Sequence, residues 1–152
     1  MTTHLTISDR QDWMTVLAKA PAQLLSELWS RFTSKPAFEP LREPETGLVM
    51  VRARAGGEGA RFNMGEATVT RCSVISSTGQ TGHAYVLGCD EAHARAAAEI
   101  DAGLQDSDLF ADLDRAIIRP LKKVRDEAQQ LHRGKVAATR VDFFTLVRGE
   151  DD

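Results

Sequence analysis

Apolar residues recur at helical spacing at both ends of the chain and at strand spacing between them. Ser8 fits an N-cap, and Gln11 three residues later completes a capping box. The helix it opens carries Trp13, Val16, Leu17 and Ala20 on one face. Pro21 fits the first turn of a second helix, where its missing N–H costs nothing. Leu24, Leu25, Leu28, Trp29 and Phe32 form that helix's apolar stripe. Both tryptophans therefore read as core or interface residues, and the helices as an antiparallel pair or one kinked helix.

The pattern then changes period. Ala37–Glu43, with Pro40 tolerated at a sheet edge, reads as an edge strand. Pro44–Gly47 reads as a turn and Leu48–Arg54 as a strand, with Val49, Val51 and Ala53 opposite Leu48, Met50, Arg52 and Arg54. The GGEG run, Gly56–Gly59, is a tight hairpin turn or loop. Strands over Ala60–Asn63 and Glu66–Ser76, broken at Gly65, and a short strand over His83–Leu87 follow. Asp90 caps an Ala-rich helix that lets a neighbour approach closely. Helical spacing resumes after a break near Ser107, and Pro120 kinks or restarts the chain. Leu121, Val124, Ala128 and Leu131 mark an amphipathic helix, with Gly134 as its stop. RVDFFTLVRG, Arg140–Gly149, reads as a final strand or docking segment. The expectation is an α+β fold in a single domain over residues 1–152, with residues 1–7 and 150–152 frayed. Its sheet is mainly antiparallel, of four to five strands, flanked by N-terminal and C-terminal helices.

Composition narrows the function. A length of 152 residues suits one domain, and 42% apolar residues suit a core. The net charge of −3 disfavours a nucleic-acid partner. No secretory leader and no run of about 18 apolar residues appears, so a cytoplasmic protein without a membrane span is expected. Cys72 and Cys89 lack a metal or redox spacing and read as reduced thiols, with pairing left open. Residues 90–114 hold eight acids against Arg95 alone, while 115–135 hold seven bases against Asp126 and Glu127. Two solvated helix faces explain this better than an anionic ligand does.

Signature chemistry is sparse. There is no P-loop, dinucleotide fingerprint, HExxH or GxSxG. His4, His83, His93 and His132 are scattered, so no metal site is expected. Glu45, Arg61, Glu66 and Arg71 cluster around the glycine-rich stretch; Arg140, Asp142, Phe143, Phe144 and Arg148 cluster at the apolar end. Guanidinium groups can hold phosphate or phosphonate oxygens bidentately. Pairing with Glu45, Glu66 or Asp142 at sheet edges or a subunit contact is the alternative, and the favoured one residue by residue. His83 reads as a structural histidine before an acid–base group.

Four blocks carry a family resemblance: RQDWMTVLA (Arg10–Ala18), ETGLVMVRARAGGEGARFNMGEATVTR (Glu45–Arg71), GHAYVLG (Gly82–Gly88) and RVDFFTLVRG (Arg140–Gly149). In order and over most of the chain, they closely resemble the PhnG family of the bacterial carbon–phosphorus lyase system. His83 and Leu146 depart from the family pattern, which argues against a catalytic role at position 83. The resemblance implies partners: PhnH-, PhnI- and PhnL-like subunits that together exchange the adenine of MgATP for an alkylphosphonate, and a PhnJ-like radical subunit that later cleaves the C–P bond. It implies that MgATP is a substrate of the complex and that this chain alone binds no cofactor. It transfers no catalytic residue. The expected role is a scaffold and site-completing subunit, inactive alone, with self-association of the isolated chain left open. The alternative is an autonomous phosphate- or nucleotide-binding enzyme using Arg61, Arg71 and Arg148. An RNA-binding module is a third, disfavoured class.

Overall fold

A computed structural model describes residues 6–139, without the side chains of Ala137 and Ala138. Its elements are α1 (Ile7–Ala18), α2 (Ala22–Arg31), β1 (Phe38–Arg54), β2 (Arg61–Ser76), β3 (Thr81–Leu87), α3 (Glu91–Leu104), α4 (Ser107–Leu113), a π turn (Asp114–Ile118) and α5 (Arg119–Ala138). The α+β class and the antiparallel pairing hold. The strand count does not: the described sheet has three strands in the order β1-β2-β3.

Two expected breaks proved to be bulges, which is why four short strands became two long ones. On β1, register shifts fall between Pro40 and Arg42 and between Arg42 and Glu45, so Pro44–Gly47 is strand and not turn. Proline lacks an N–H, and an edge strand can lose that ladder bond at a bulge without breaking. On β2, Val51 faces Gly65 and Arg52 faces Asn63, which leaves Met64 as the extra residue. The expected final strand or docking segment, Arg140–Gly149, lies outside the described residues. The β1–β2 turn is tight as expected: Gly56 and Gly57 have φ of 59° and 80°, a region open to glycine at little cost.

Helices cover one face of this sheet. Thr70, Cys72, Val74 and Ser76 of β2 and Gly82, Ala84 and Val86 of β3 are buried beneath α3, while His83, Tyr85 and Leu87 face outward and are exposed. The α3 stripe Ala94, Ala97, Ala98 and Ala102 makes close packing possible. At Gly82 the approach is so tight that an added Cβ would collide with Ala98 O and the Ala102 backbone N. Trp13, Val16, Leu17, Leu25 and Trp29 complete the core, as their helical spacing required.

The helix ends differ from expectation in instructive ways. Thr6, not Ser8, caps α1, and its box partner is Asp9, not Gln11. The Thr6 Oγ1 accepts from the Asp9 N–H at 3.2 Å, and the Asp9 carboxylate accepts from the Thr6 N–H at 2.9 Å. That hydrogen bond is the main cause of an Asp9 pKa below its ordinary 3.8. Pro120 neither breaks nor restarts the helix. It cannot donate to the turn before it, and the preceding turn widens so that Arg119 N–H reaches Asp114 O, five residues back; such π turns absorb a lost ladder bond. Gly134 does not stop α5, which runs on to Ala138. Only the first turns of α5 join the core, through Leu121; Leu131 and Val136 are exposed.

Candidate functional site

Two surfaces and one buried node stand out. The first surface is an arm. β3 ends opposite Val69, whereas β1 and β2 continue as a two-stranded ribbon from Leu48/Thr68 to Arg54/Arg61. Seven residues of strand span about 23 Å. The arm exposes Leu48 and Met64 (64% each), Met50 (55%) and Phe62 (47%). At its tip Arg54 and Arg61 face each other in register, with Arg52 just behind them opposite Asn63. Like charges directly opposite destabilise a strand pair, and no ion pair among the described residues involves these three arginines. Arg61 and Glu66 of the sequence-derived set therefore belong to the arm.

The second surface is the helix-free face of the sheet, the one that no described helix covers. Two neighbouring cross-strand rows meet there, Arg42–Ser73–His83 and Glu45–Arg71–Tyr85. Arg71 Nε donates to Glu45 Oε1 at 2.6 Å and Arg42 Nη1 to the same oxygen at 3.2 Å. Ser73 Oγ and His83 Nδ1 are 2.9 Å apart. The Glu45 carboxylate, by hydrogen bond and charge, raises the Arg71 pKa above its ordinary value; Tyr85 adds a smaller effect. Glu45 and Arg71 are thus brought together, as their clustering in the sequence suggested. Arg42, Ser73 and Tyr85 were missed, because cross-strand register, shifted by two bulges on β1, is not readable from composition. His83 is an exposed cross-strand partner on this face. Arg140, Asp142, Phe143, Phe144 and Arg148 lie outside the described residues.

The buried node is Asp101. It is fully buried on α3 and accepts four hydrogen bonds: Arg10 Nε at 3.2 Å, Arg10 Nη2 at 2.8 Å, Trp13 Nε1 at 2.8 Å and the His83 backbone N–H at 2.9 Å. Arg10 also donates to Thr81 O at 3.1 Å, as does Gln105 at 2.8 Å. These bonds weld α1, α3 and the start of β3. A signal for it exists in the sequence. Asp101 continues the apolar stripe of Ala94, Ala97 and Ala98, and a carboxylate there needs partners; Arg10 and Trp13, three apart on α1, supply them.

The edges of the sheet are unequal. Ser76 N–H donates to Gln80 O and Gly88 N–H to Thr68 O, so the even-numbered residues of β3 point their backbone at β2. By antiparallel alternation, the odd-numbered ones point at the edge that no described strand covers. His83 N–H and Thr81 O are capped by Asp101, Arg10 and Gln105. Farther along, Tyr85 borders an apolar groove of about 360 Å³, lined by Met14, Leu17, Ala18, Ala84 and Ala97. The β1 edge, by contrast, carries Pro40, Pro44, bulges and charges, the usual protections of an edge strand.

Among the described residues none of this amounts to a self-contained catalytic centre. On the helix-free face the Glu45 carboxylate is held by two guanidiniums, and Asp101 is fully occupied. Among the described residues no group of three His, Cys, Asp or Glu side chains could hold a metal ion. His93 is buried, with Nε2 at 2.8 Å from Leu17 O. Cys72 is buried and Cys89 exposed, both as free thiols, and burial is the main reason the Cys72 pKa is raised. No described helix is long and apolar enough to cross a membrane.

The bare sheet face and the protruding apolar arm of the described residues are surfaces of the kind that subunits of a complex cover. Comparison with known proteins gives the family. Residues 8–149 match the sequence profile described as phosphonate metabolism protein PhnG. The chain is also 46% identical over 145 residues to a Rhizobium meliloti (strain 1021) protein named alpha-D-ribose 1-methylphosphonate 5-triphosphate synthase subunit PhnG. The match covers 95% of this chain and 92% of that protein. The chain belongs to the PhnG family.

Proposed function

We propose that this chain is a non-autonomous subunit of a ribose 1-methylphosphonate 5-triphosphate synthase, acting in phosphonate breakdown. Its contribution is shape and contact area, and its neighbours supply the bond-making groups. The complex exchanges the adenine of MgATP for an alkylphosphonate, and the neighbours are PhnH-, PhnI-, PhnJ- and PhnL-like subunits in the cytoplasm. The observation that carries the reading is the arm. Leu48, Met50, Phe62 and Met64 stand on a ribbon that no described layer covers on either face, and full burial of such side chains is worth about 1.5–3 kcal/mol each. The cationic tip fits an acidic site on the partner. The exposed α5 stripe and the open Tyr85 edge add further contact area, the latter by strand addition.

Co-expression of the tagged chain with the neighbouring subunits, followed by pull-down, tests this. Wild type should retain them, and Phe62→Asp with Met64→Asp should lose them while the chain keeps its thermal stability. Retention of every partner by that double variant would overturn the assignment of the arm.

A further inference from the structure

The helix-free face has chemistry that neither the arm nor the sheet requires. Arg42 and Arg71 both donate to one oxygen of a single carboxylate, Glu45 Oε1. Beside them Ser73, His83 and Tyr85 complete a concavity of about 380 Å³. Each guanidinium has five N–H donors, and one bond to Glu45 leaves most of them over. The two hydroxyls and the imidazole can donate as well. Donors outnumber acceptors, and two positive charges face one negative.

We infer that this concavity binds a tetrahedral oxyanion, the phosphoryl or phosphonyl end of a small molecule. Glu45 is the positioning residue: it holds the two guanidiniums side by side, so that their remaining N–H groups converge on one anion. Arg71 and Arg42 supply the charge-assisted bonds, which are roughly twice as strong as neutral ones. Ser73 Oγ, when it accepts from His83 Nδ1–H at 2.9 Å, is left free to donate its hydroxyl proton to a third oxygen. Nothing in the site depends on the arm, which lies beyond the end of β3 on the same two strands.

Titration of the full-length chain with inorganic phosphate, pyrophosphate and methylphosphonate, followed by amide and arginine Nε–H NMR shifts, tests the site. Saturable shifts should appear at Arg42, Arg71 and Ser73. Arg71→Met should weaken binding about tenfold or more, and Arg71→Lys by less, since it keeps the charge and loses the fork. Arg42→Gln, on an exposed edge strand that tolerates it, should act in the same direction. Arg115→Met, which removes a charge elsewhere, should change nothing. Tighter binding of pyrophosphate than of the other two would identify a polyphosphate end; preference for methylphosphonate would identify a phosphonate. Absence of saturable shifts, or an Arg71→Met affinity equal to wild type, would overturn the inference. So would loss of partner subunits from the arginine variants without any anion binding, which would make the face a protein contact. Partner capture itself reads the arm, so failure of one result does not imply failure of the other.

Discussion

Asp101→Ala is the most informative single change to the body of the molecule. The carboxylate is completely buried and takes four hydrogen bonds from three residues on two other elements, α1 and β3. Truncation leaves the Trp13 indole N–H and the His83 backbone N–H without acceptors, at about 1–3 kcal/mol each. Arg10 loses its partner too, but its side chain is 34% exposed; solvent screens that pair and lets the guanidinium turn outward, so it adds less. The expected loss is about 3–5 kcal/mol, from a typical total of about 5–15 kcal/mol. Asp101→Asn should cost less, about 2–4 kcal/mol, because one oxygen remains while the new NH2 group faces other N–H donors. Urea unfolding followed by circular dichroism gives the free energies. Tryptophan emission should change even before unfolding, since Trp13 is itself a partner. A loss below about 1 kcal/mol for the alanine variant would show that Asp101 is not the node that joins α1, α3 and β3.

Other changes probe other parts of the structure. Gly82→Ala should destabilise by about 3 kcal/mol or more, because its Cβ would strike the α3 backbone; a melting temperature within about 2 °C of wild type would contradict that packing. Iodoacetamide at pH 8 should label Cys89 alone in the native chain and both cysteines in urea, since burial raises the Cys72 pKa and shields its thiol. Because the folded state keeps that proton more tightly, the effect on stability is complete below the ordinary value of 9.0 and is lost as pH rises through the folded value; two labels on the native protein would refute it. The Asp9 capping box runs the other way. Its pKa is lowered, so its contribution is present above 3.8 and is lost as pH falls through the folded value. Asp9→Asn should therefore flatten the acid side of a stability profile below pH 3.8, and an unchanged acid limb would contradict the cap.

Much of the helical framework could be read from spacing. Trp13, Val16, Leu17, Leu25 and Trp29 lie on apolar stripes, and all are core residues. The turn at Gly56–Gly57 was equally plain, because adjacent glycines mark a place where φ turns positive. What spacing could not reveal was continuity through irregularity. Pro40, Pro44 and Gly65 look like punctuation, yet bulges absorb all three, and two long strands replace four short ones. Pro120 is the helical counterpart, absorbed by a π turn. In each case the cost of a lost backbone bond is local, whereas the packing that keeps the element intact is spread over many residues. The site followed the same rule. Glu45 and Arg71 are distant enough in sequence that only their shared glycine-rich stretch linked them; the register that brings Arg42 beside them depends on the β1 bulges, and Tyr85 joins through the β2–β3 pairing. Asp101 was legible in principle as an acid on an apolar stripe, but only in company with Arg10 and Trp13.

Dependence on neighbours is the claim on which the functional reading rests. Release of adenine from MgATP in the presence of methylphosphonate measures it directly, with the chain alone, the other subunits alone, and both together. The reading predicts no release above background from this chain by itself, and turnover restored to the other subunits when wild type is added but not when Phe62→Asp/Met64→Asp is added. Sustained adenine release by the purified chain alone would contradict it.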